Sequence, residues 1–360
     1  MRQFRRLFGG VTDPRASNAR HDLLEILFIA LAATLAGARD CTEFVAFALG
    51  REALLRDILD LPHGIPSHDT FSNVFRALDP EALATVLYKF AKGFGIKGVL
   101  SLDGKALRGA YARGKRAVPL HMVNVWANET RMALAQRKAP NRNEAQGALL
   151  LLASLDLKGA VVTADALHCR PDTAAAIRAR KGHFVLALKQ NRAKLFKAAS
   201  ALIATARKPS RAAEKATSAH GRRERRKAVV VSAAQLGQAY GFPDLVAIGR
   251  IESWRSITAK SAEAKTRFFL LSRKLSAKQL LKTVRAHWSI ENNLHWVLDV
   301  LFCEDACRAR KDHAPENLAA IRKIAINILQ VTPGPQRIRH KMLHARWNND
   351  FLLKALAHMR

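Results

Sequence analysis

Three carboxylates in this 360-residue chain have the surroundings that phosphodiester chemistry requires. Asp103 closes a short apolar strand, Val99 to Leu102, and is followed by Gly104, Lys105 and Arg108. Asp165 closes another, Gly159 to Thr163, with no neighbouring Gly or Pro to demand a turn. Glu291 recurs with Leu281, Val284, Trp288, His295 and Leu298 at steps of three and four, which places it in the apolar stripe of a helix predicted over 278–301. A buried carboxylate costs several kcal/mol unless it is paired or metal-bound. The bland readings are a turn aspartate at Asp103 and a core salt bridge at Glu291. Together, two strand-borne aspartates and one helix-borne glutamate can hold two Mg²⁺ (or Mn²⁺) ions. Such a pair activates a water or a 3′-hydroxyl and stabilises the leaving oxygen.

Other side chains fit around this trio. Lys105 and Arg108 follow Asp103 and are natural phosphate contacts, as is Lys189 after the strand Phe184–Leu188. His295 lies one helical turn from Glu291, positioned to hold that carboxylate or to touch a scissile phosphate; His287, Asn292 and Asp299 are expected just behind. Trp288 serves either core packing or stacking on an extruded base. The run Arg222, Arg223, Glu224, Arg225, Arg226, Lys227 reads as a surface tracking a nucleic-acid backbone, or as a solvated loop. Cys303 and Cys307 near His295 lack the second Cys/His pair that a zinc finger needs.

The elements that must position these residues are legible in outline. Residues 1–95 read as helical, with starts at Asp22, Asp40, Ser67 or Asp69, and Asp79-Pro80. From Gly98 the order becomes β-β-β-α-β-α-β: strands at Val99–Leu102, His121–Ala127, Met132–Gln136, Gly159–Thr163 and Phe184–Leu188, with helices Asn143–Leu155 and Pro171–Arg180. Residues 189–227 carry 13 Lys and Arg against Glu214 and Glu224, and strands resume at Ala228–Val231, Leu245–Trp254 and Phe268–Leu271. Helices are predicted again over 278–301, 315–329 and 347–358. The expected division is 1–95 as a helical N-terminal DNA-binding region, 96–190 as the first part of a catalytic core, 191–275 as a basic β-rich insertion, and 276–360 as the helical remainder.

Sixty Lys and Arg against 29 Asp and Glu give a formal charge of +31, and self-repulsion of that size points to a polyanionic partner. With 49% hydrophobic residues the chain is too apolar for disorder. The longest apolar run, Leu23–Leu35, contains Glu25 and is too short to span a bilayer, so no membrane role is expected. Four cysteines are too few for a disulfide framework, which predicts a reduced, cytoplasmic compartment.

Asp103-Gly-Lys105 with Arg108 resembles the first-aspartate motif of the H-repeat-associated, ISAs-type insertion-sequence transposases. The resemblance continues through His121-Met-Val-Asn124-Val-Trp126, Leu155 to Ala166 around Asp165, and Phe184 to Asn191. It is densest from His287 to Val300, then at Phe302-Cys-Glu304-Asp305 and Ala314-Pro315-Glu316-Asn317, and it includes Ile65-Pro-Ser-His68-Asp69-Thr70 upstream. Asn73 stands where the family usually has Arg. The resemblance implies a mixed α/β fold with a ribonuclease-H-like catalytic core, a β-rich insertion, a helical N-terminal domain and a helical C-terminus. It implies a DDE transposase with Asp103, Asp165 and Glu291 as the metal-binding triad. The implied partners are double-stranded DNA, as terminal inverted repeats and target, and further copies of the chain in a homodimer or higher oligomer on DNA. The implied setting is the prokaryotic cytoplasm, at the nucleoid. Two alternatives are a DDE-type nuclease that cleaves without joining, and a domesticated or inactive transposase-derived DNA-binding protein.

Overall fold

The computed structural model describes residues 1–111, 118–214, 217–219, 222–256 and 263–358. They form a mixed α/β fold of two compact units, interleaved along the chain: Met1–Gly95 with Gly104–Glu144 and Glu291–Arg360, and Ile96–Asp103 with Ala145–Ile290.

In the first unit, the N-terminal helices start where short polar side chains can cap them. Asp22 accepts from the Glu25 amide, Asp40 from Glu43, Ser67 from Thr70, and Asp79 from Glu81 with Pro80 in the first turn. These caps open the helices Leu23–Leu35, Cys41–Leu49, His68–Ala77 and Pro80–Lys92. Leu23–Leu35 is buried on nearly every side, and its Glu25 carboxylate accepts from the Asp60 amide at 2.7 Å. The long helix Ala314–Val331 is buried along most of its length against Leu23–Leu35, Pro80–Lys92 and the strand β3 (Met132–Lys138). Asn327 ties helix to strand by two 2.8 Å bonds with the backbone of Ala133. The strands run β3–β2–β1, with β2 at Pro119–Ala127 and the C-terminal half of β1 (Val99–Tyr111). A helix at Ile338–Trp347 precedes the expected C-terminal one, found at Asn349–Ala357.

In the second unit the N-terminal half of β1 pairs in parallel with β4 (Val161–Ala164), and β4 with β5 (His183–Leu188). Antiparallel strands follow. Of β6 (Ser210–Ala213), β7 (Thr217–Ala219), β8 (Arg222–Ser232), β9 (Ala247–Ser256) and β10 (Glu263–Leu271), β10 pairs with β5, and the order continues β9–β8–β6, with β7 also on β8. Helix Ala277–His287 covers this sheet through Leu280 and Leu281, packed with Val161, Val185, Phe269 and Leu271.

Three expectations change. The strand at Asp103 does not end there: β1 continues for 13 residues, through Asp-Gly, to Tyr111. Gly104 marks a close approach rather than a turn, since a Cβ there would collide with the Glu144 carboxylate. The basic stretch after Lys189 contains the helix Ala193–Thr205, whose Leu195, Ala199 and Ile203 face inward while its lysines obscure the pattern. Finally, the helix predicted over 278–301 is broken into Ala277–His287, a π-turn at Glu291–His295, and Trp296–Val300.

Candidate active site

The parallel register of β1 and β4 pairs Leu102 with Ala164, so Asp103 and Asp165 are the next residues on adjacent strands. Neighbouring strands lie about 4.8 Å apart. Both aspartates are half-buried. Asp165 also caps a one-turn helix, Ala166–His168, accepting from the Leu167 amide at 3.0 Å. Lys189 is exposed just past Leu188, so the C-terminal edge of three parallel strands carries two carboxylates and an ammonium. Such an edge is where open α/β sheets bind ligands. Two residues before Asp165, on the same face, Thr163 hydrogen-bonds His287 Nδ1 at 3.0 Å and the Leu100 carbonyl at 3.3 Å. The expected supporting histidine therefore stands beside the second aspartate.

In the first unit Glu291 opens the π-turn Glu291–His295. Leu294, Val297 and Leu298 take the buried positions, and the Glu291 side chain is 51% exposed. The expectation of a buried Glu291 is thus corrected. His295 Nδ1 lies 3.4 Å from Glu291 Oε2, on the i, i+4 spacing, and His295 is itself buried. Asn292 is exposed, and Asn293 accepts from Arg131 at 2.8 Å. Trp288 is not a core residue: it is 48% exposed, with the Arg267 guanidinium 5.2 Å above its ring.

Lys105 departs from expectation more sharply. It is 7% exposed, and its ammonium lies 2.7 Å from Asp299, 3.2 Å from Asp305 and 3.4 Å from Glu304. An ammonium so engaged is a tie between β1 and the segment after the glutamate helix, not an open phosphate contact. Burial works to lower its pKa, but Glu304, Asp299 and Asp305 together hold it above the ordinary lysine value. Glu304 is also 3.8 Å from the buried Arg322. The sequence reading missed Glu304, Asp305 and Arg322 as partners, although a charge at a buried step of the apolar helix Ala314–Val331 was a usable signal for Arg322.

The remaining basic residues divide. Arg108 has a side chain 80% exposed beside Asp305, and Arg225 is exposed. Arg226 is bound by Glu224 at 2.8 Å and Glu214 at 3.4 Å. Arg222 and Arg223 lie on β8, but their side chains, and residues Lys215, Ala216, His220 and Gly221 of the basic run, lie outside the described residues.

Chemically, Asp103, Asp165 and Glu291 offer hard oxygen donors of the kind Mg²⁺ takes, and the His295 imidazole beside Glu291 suits Mn²⁺ as well. Among the described residues no helix is long and apolar enough to cross a membrane.

Two family models match in tandem: one described as DDE_Tnp_1-associated over residues 5–91, and one described as a transposase DDE domain over residues 95–328. The transposase-named YncI of Escherichia coli O157:H7 is 32% identical over 340 residues, covering 90% of this chain and 87% of that protein. The H repeat-associated, transposase-named YhhI of Escherichia coli K12 is 29% identical over 350 residues, 94% of this chain and 93% of its own. A protein of the dhlA 3′ region of Xanthobacter autotrophicus is 35% identical over 260 residues, 69% of this chain and 88% of its own.

Proposed function

The chain belongs to the DDE-domain transposases, and from that membership we propose that Asp103, Asp165 and Glu291 are the catalytic, metal-binding carboxylates of an insertion-sequence transposase. The observation that carries the assignment is the parallel β1–β4 register, in which Asp103 and Asp165 directly follow the last paired residues, Leu102 and Ala164. The exposed Glu291 carboxylate, 3.4 Å from His295, supports the third position. Two divalent ions, Mg²⁺ or Mn²⁺, would supply the acidity that makes a water or 3′-hydroxyl nucleophilic and the charge that receives the leaving oxygen.

Around that centre the chain supplies orientation. His295 holds the Glu291 carboxylate, His287 holds Thr163 next to Asp165, and Lys189 and Arg108 offer positive charge to phosphates. The reaction is hydrolysis at the ends of a DNA element, followed by attack of the freed 3′-hydroxyl on target DNA. Residues 1–95 form the N-terminal DNA-binding region of this reading, 96–190 and 276–360 build a ribonuclease-H-like core, and 191–275 form a basic insertion that grips the duplex. Trp288, exposed under Arg267, stacks on a base there. Two element ends cut together call for a homodimer or higher oligomer on DNA, in the cytoplasm at the nucleoid.

Incubating the protein with Mg²⁺ and duplexes carrying the element's terminal repeats tests this. Wild-type chain yields nicked and strand-transfer products, whereas Asp103→Asn, Asp165→Asn and Glu291→Gln each lose at least 100-fold in cleavage while retaining duplex binding. Wild-type-like cleavage by Glu291→Gln overturns the assignment, and cleavage without joined products reduces the activity to that of a nuclease.

A further inference from the structure

On the first unit, beyond the carboxylates, a surface pocket of about 750 Å³ opens along the outer half of β1. Arg108, Arg308, Arg310, Tyr111 and Asp305 line it. Its shape depends on Gly109: a Cβ there would collide with the carbonyl oxygen of Cys307, so only glycine lets residues 305–307 lie this close to the strand.

The cations in this pocket are held ready. The Arg310 guanidinium lies over Tyr111, its Cζ 4.0 Å from the ring centroid. Its Nε donates to the Gly109 carbonyl and one terminal nitrogen to the Tyr111 hydroxyl, both at 2.8 Å. A guanidinium has five N–H donors, so three remain directed elsewhere from an exposed side chain. Arg108 Nε is oriented by Asp305 at 3.4 Å. That carboxylate is shared with the buried Lys105 at 3.2 Å, so the one acid lining the pocket is already matched and the pocket is net cationic. Arg308 is exposed alongside.

We infer that this pocket is an anchoring subsite for a backbone phosphate of duplex DNA, separate from the carboxylate centre and serving it. The inference rests on the transposase reading. An arginine held over an aromatic ring, with two further arginines beside it in a surface pocket, suits a phosphodiester in a continuous strand better than an enclosed small ligand.

Duplex binding across a salt series distinguishes the possibilities, using the full chain, a fluorescent 30-base-pair duplex of arbitrary sequence, and Ca²⁺. Each phosphate that the protein no longer neutralises lowers the slope of log K against log salt by about 0.9. Arg310→Ala is expected to lower it by up to about 1, and Arg308→Ala/Arg310→Ala by about 1, the value for one phosphate, for any duplex sequence. Arg337→Ala/Arg339→Ala, exposed arginines elsewhere on this unit, should leave it unchanged. Wild-type slope in both pocket variants, or an equal drop in the control pair, overturns the subsite and leaves the transposase reading standing. Displacement of the duplex by millimolar inorganic phosphate in wild type but not in the pocket variants marks a free-anion site and also overturns it. If wild-type protein binds no duplex, the transposase reading itself fails.

Discussion

At the scale of single residues, Lys105 is the side chain whose role the structure changes most. It stands two positions beyond Asp103, and its ammonium lies within 3.4 Å of Asp299, Glu304 and Asp305 at once. Glu304 is 2% exposed, so removing the ammonium leaves a carboxylate with little access to water. Breaking a buried pair from one side typically costs about 3–5 kcal/mol. Lys105→Met should therefore lower unfolding free energy in urea by about that amount. Glu304→Gln/Lys105→Met should recover part of it, because the orphaned charge is removed together with its partner. A Lys105→Met protein with wild-type stability and slower cleavage would mean that the lysine acts on DNA after all.

At the scale of elements, the decisive features are a strand that runs on and a helix that does not. β1 extends past Asp103 because the segment 304–310 covers its outer half: Asp305 holds Lys105 and Arg108, and Arg310 bonds Gly109. Gly109→Ala should push that segment off the strand, at a cost of roughly 1–3 kcal/mol for overpacking against backbone. Hydrogen exchange should then quicken at residues 305–310 and stay slow in the helix Ala314–Val331. Unchanged exchange at 305–310 would show that the close approach is not what docks them. The helix predicted over 278–301 is instead interrupted, with the π-turn Glu291–His295 between Ala277–His287 and Trp296–Val300. Such turns recur at functional sites.

At the scale of the whole molecule, charge and buried ionisation set the response to solution conditions. Lys323 is fully buried, with one hydrogen bond to Gln136 at 2.9 Å, and burial brings its pKa down to about 8, with Glu304 opposing and Lys105 and Arg322 assisting. Between that value and the unfolded lysine value of 10.5 the unfolded chain holds the extra proton, so stability rises with pH across this window. At about 1.36 kcal/mol per unit, the rise attributable to Lys323 is roughly 3 kcal/mol. The folded value of Lys105 is raised instead, so its contribution is complete below the unfolded lysine pKa and fades as pH climbs through the folded value. Lys323→Met should gain stability near pH 7 and flatten the slope between pH 8 and 10.5 in urea titrations. A slope unchanged by the substitution would assign it to other groups. The formal charge of +31 adds steep salt dependence to any duplex binding.

Much of the fold around the candidate site was legible because its signals are local. Apolar runs before Asp103 and Asp165 mark the strands β1 and β4, although β1 runs on past Asp103, capping residues mark the N-terminal helix starts, and the +31 balance points to a polyanion. Periodicity found helix around Glu291 but misjudged the direction of its side chain, because the helix predicted over 278–301 stops at His287 and no local propensity marks the break. The basic residues were readable as charge, not as partners. Lys105 and Asp305 are 200 positions apart in the chain, and only folding brings that ammonium under three carboxylates while leaving Arg108 outside. Residue types and short-range spacing thus determined which groups are candidates to meet metal and phosphate. The tertiary structure decided which of them are already satisfied, because the cost of burying a charge depends on neighbours that distant segments supply.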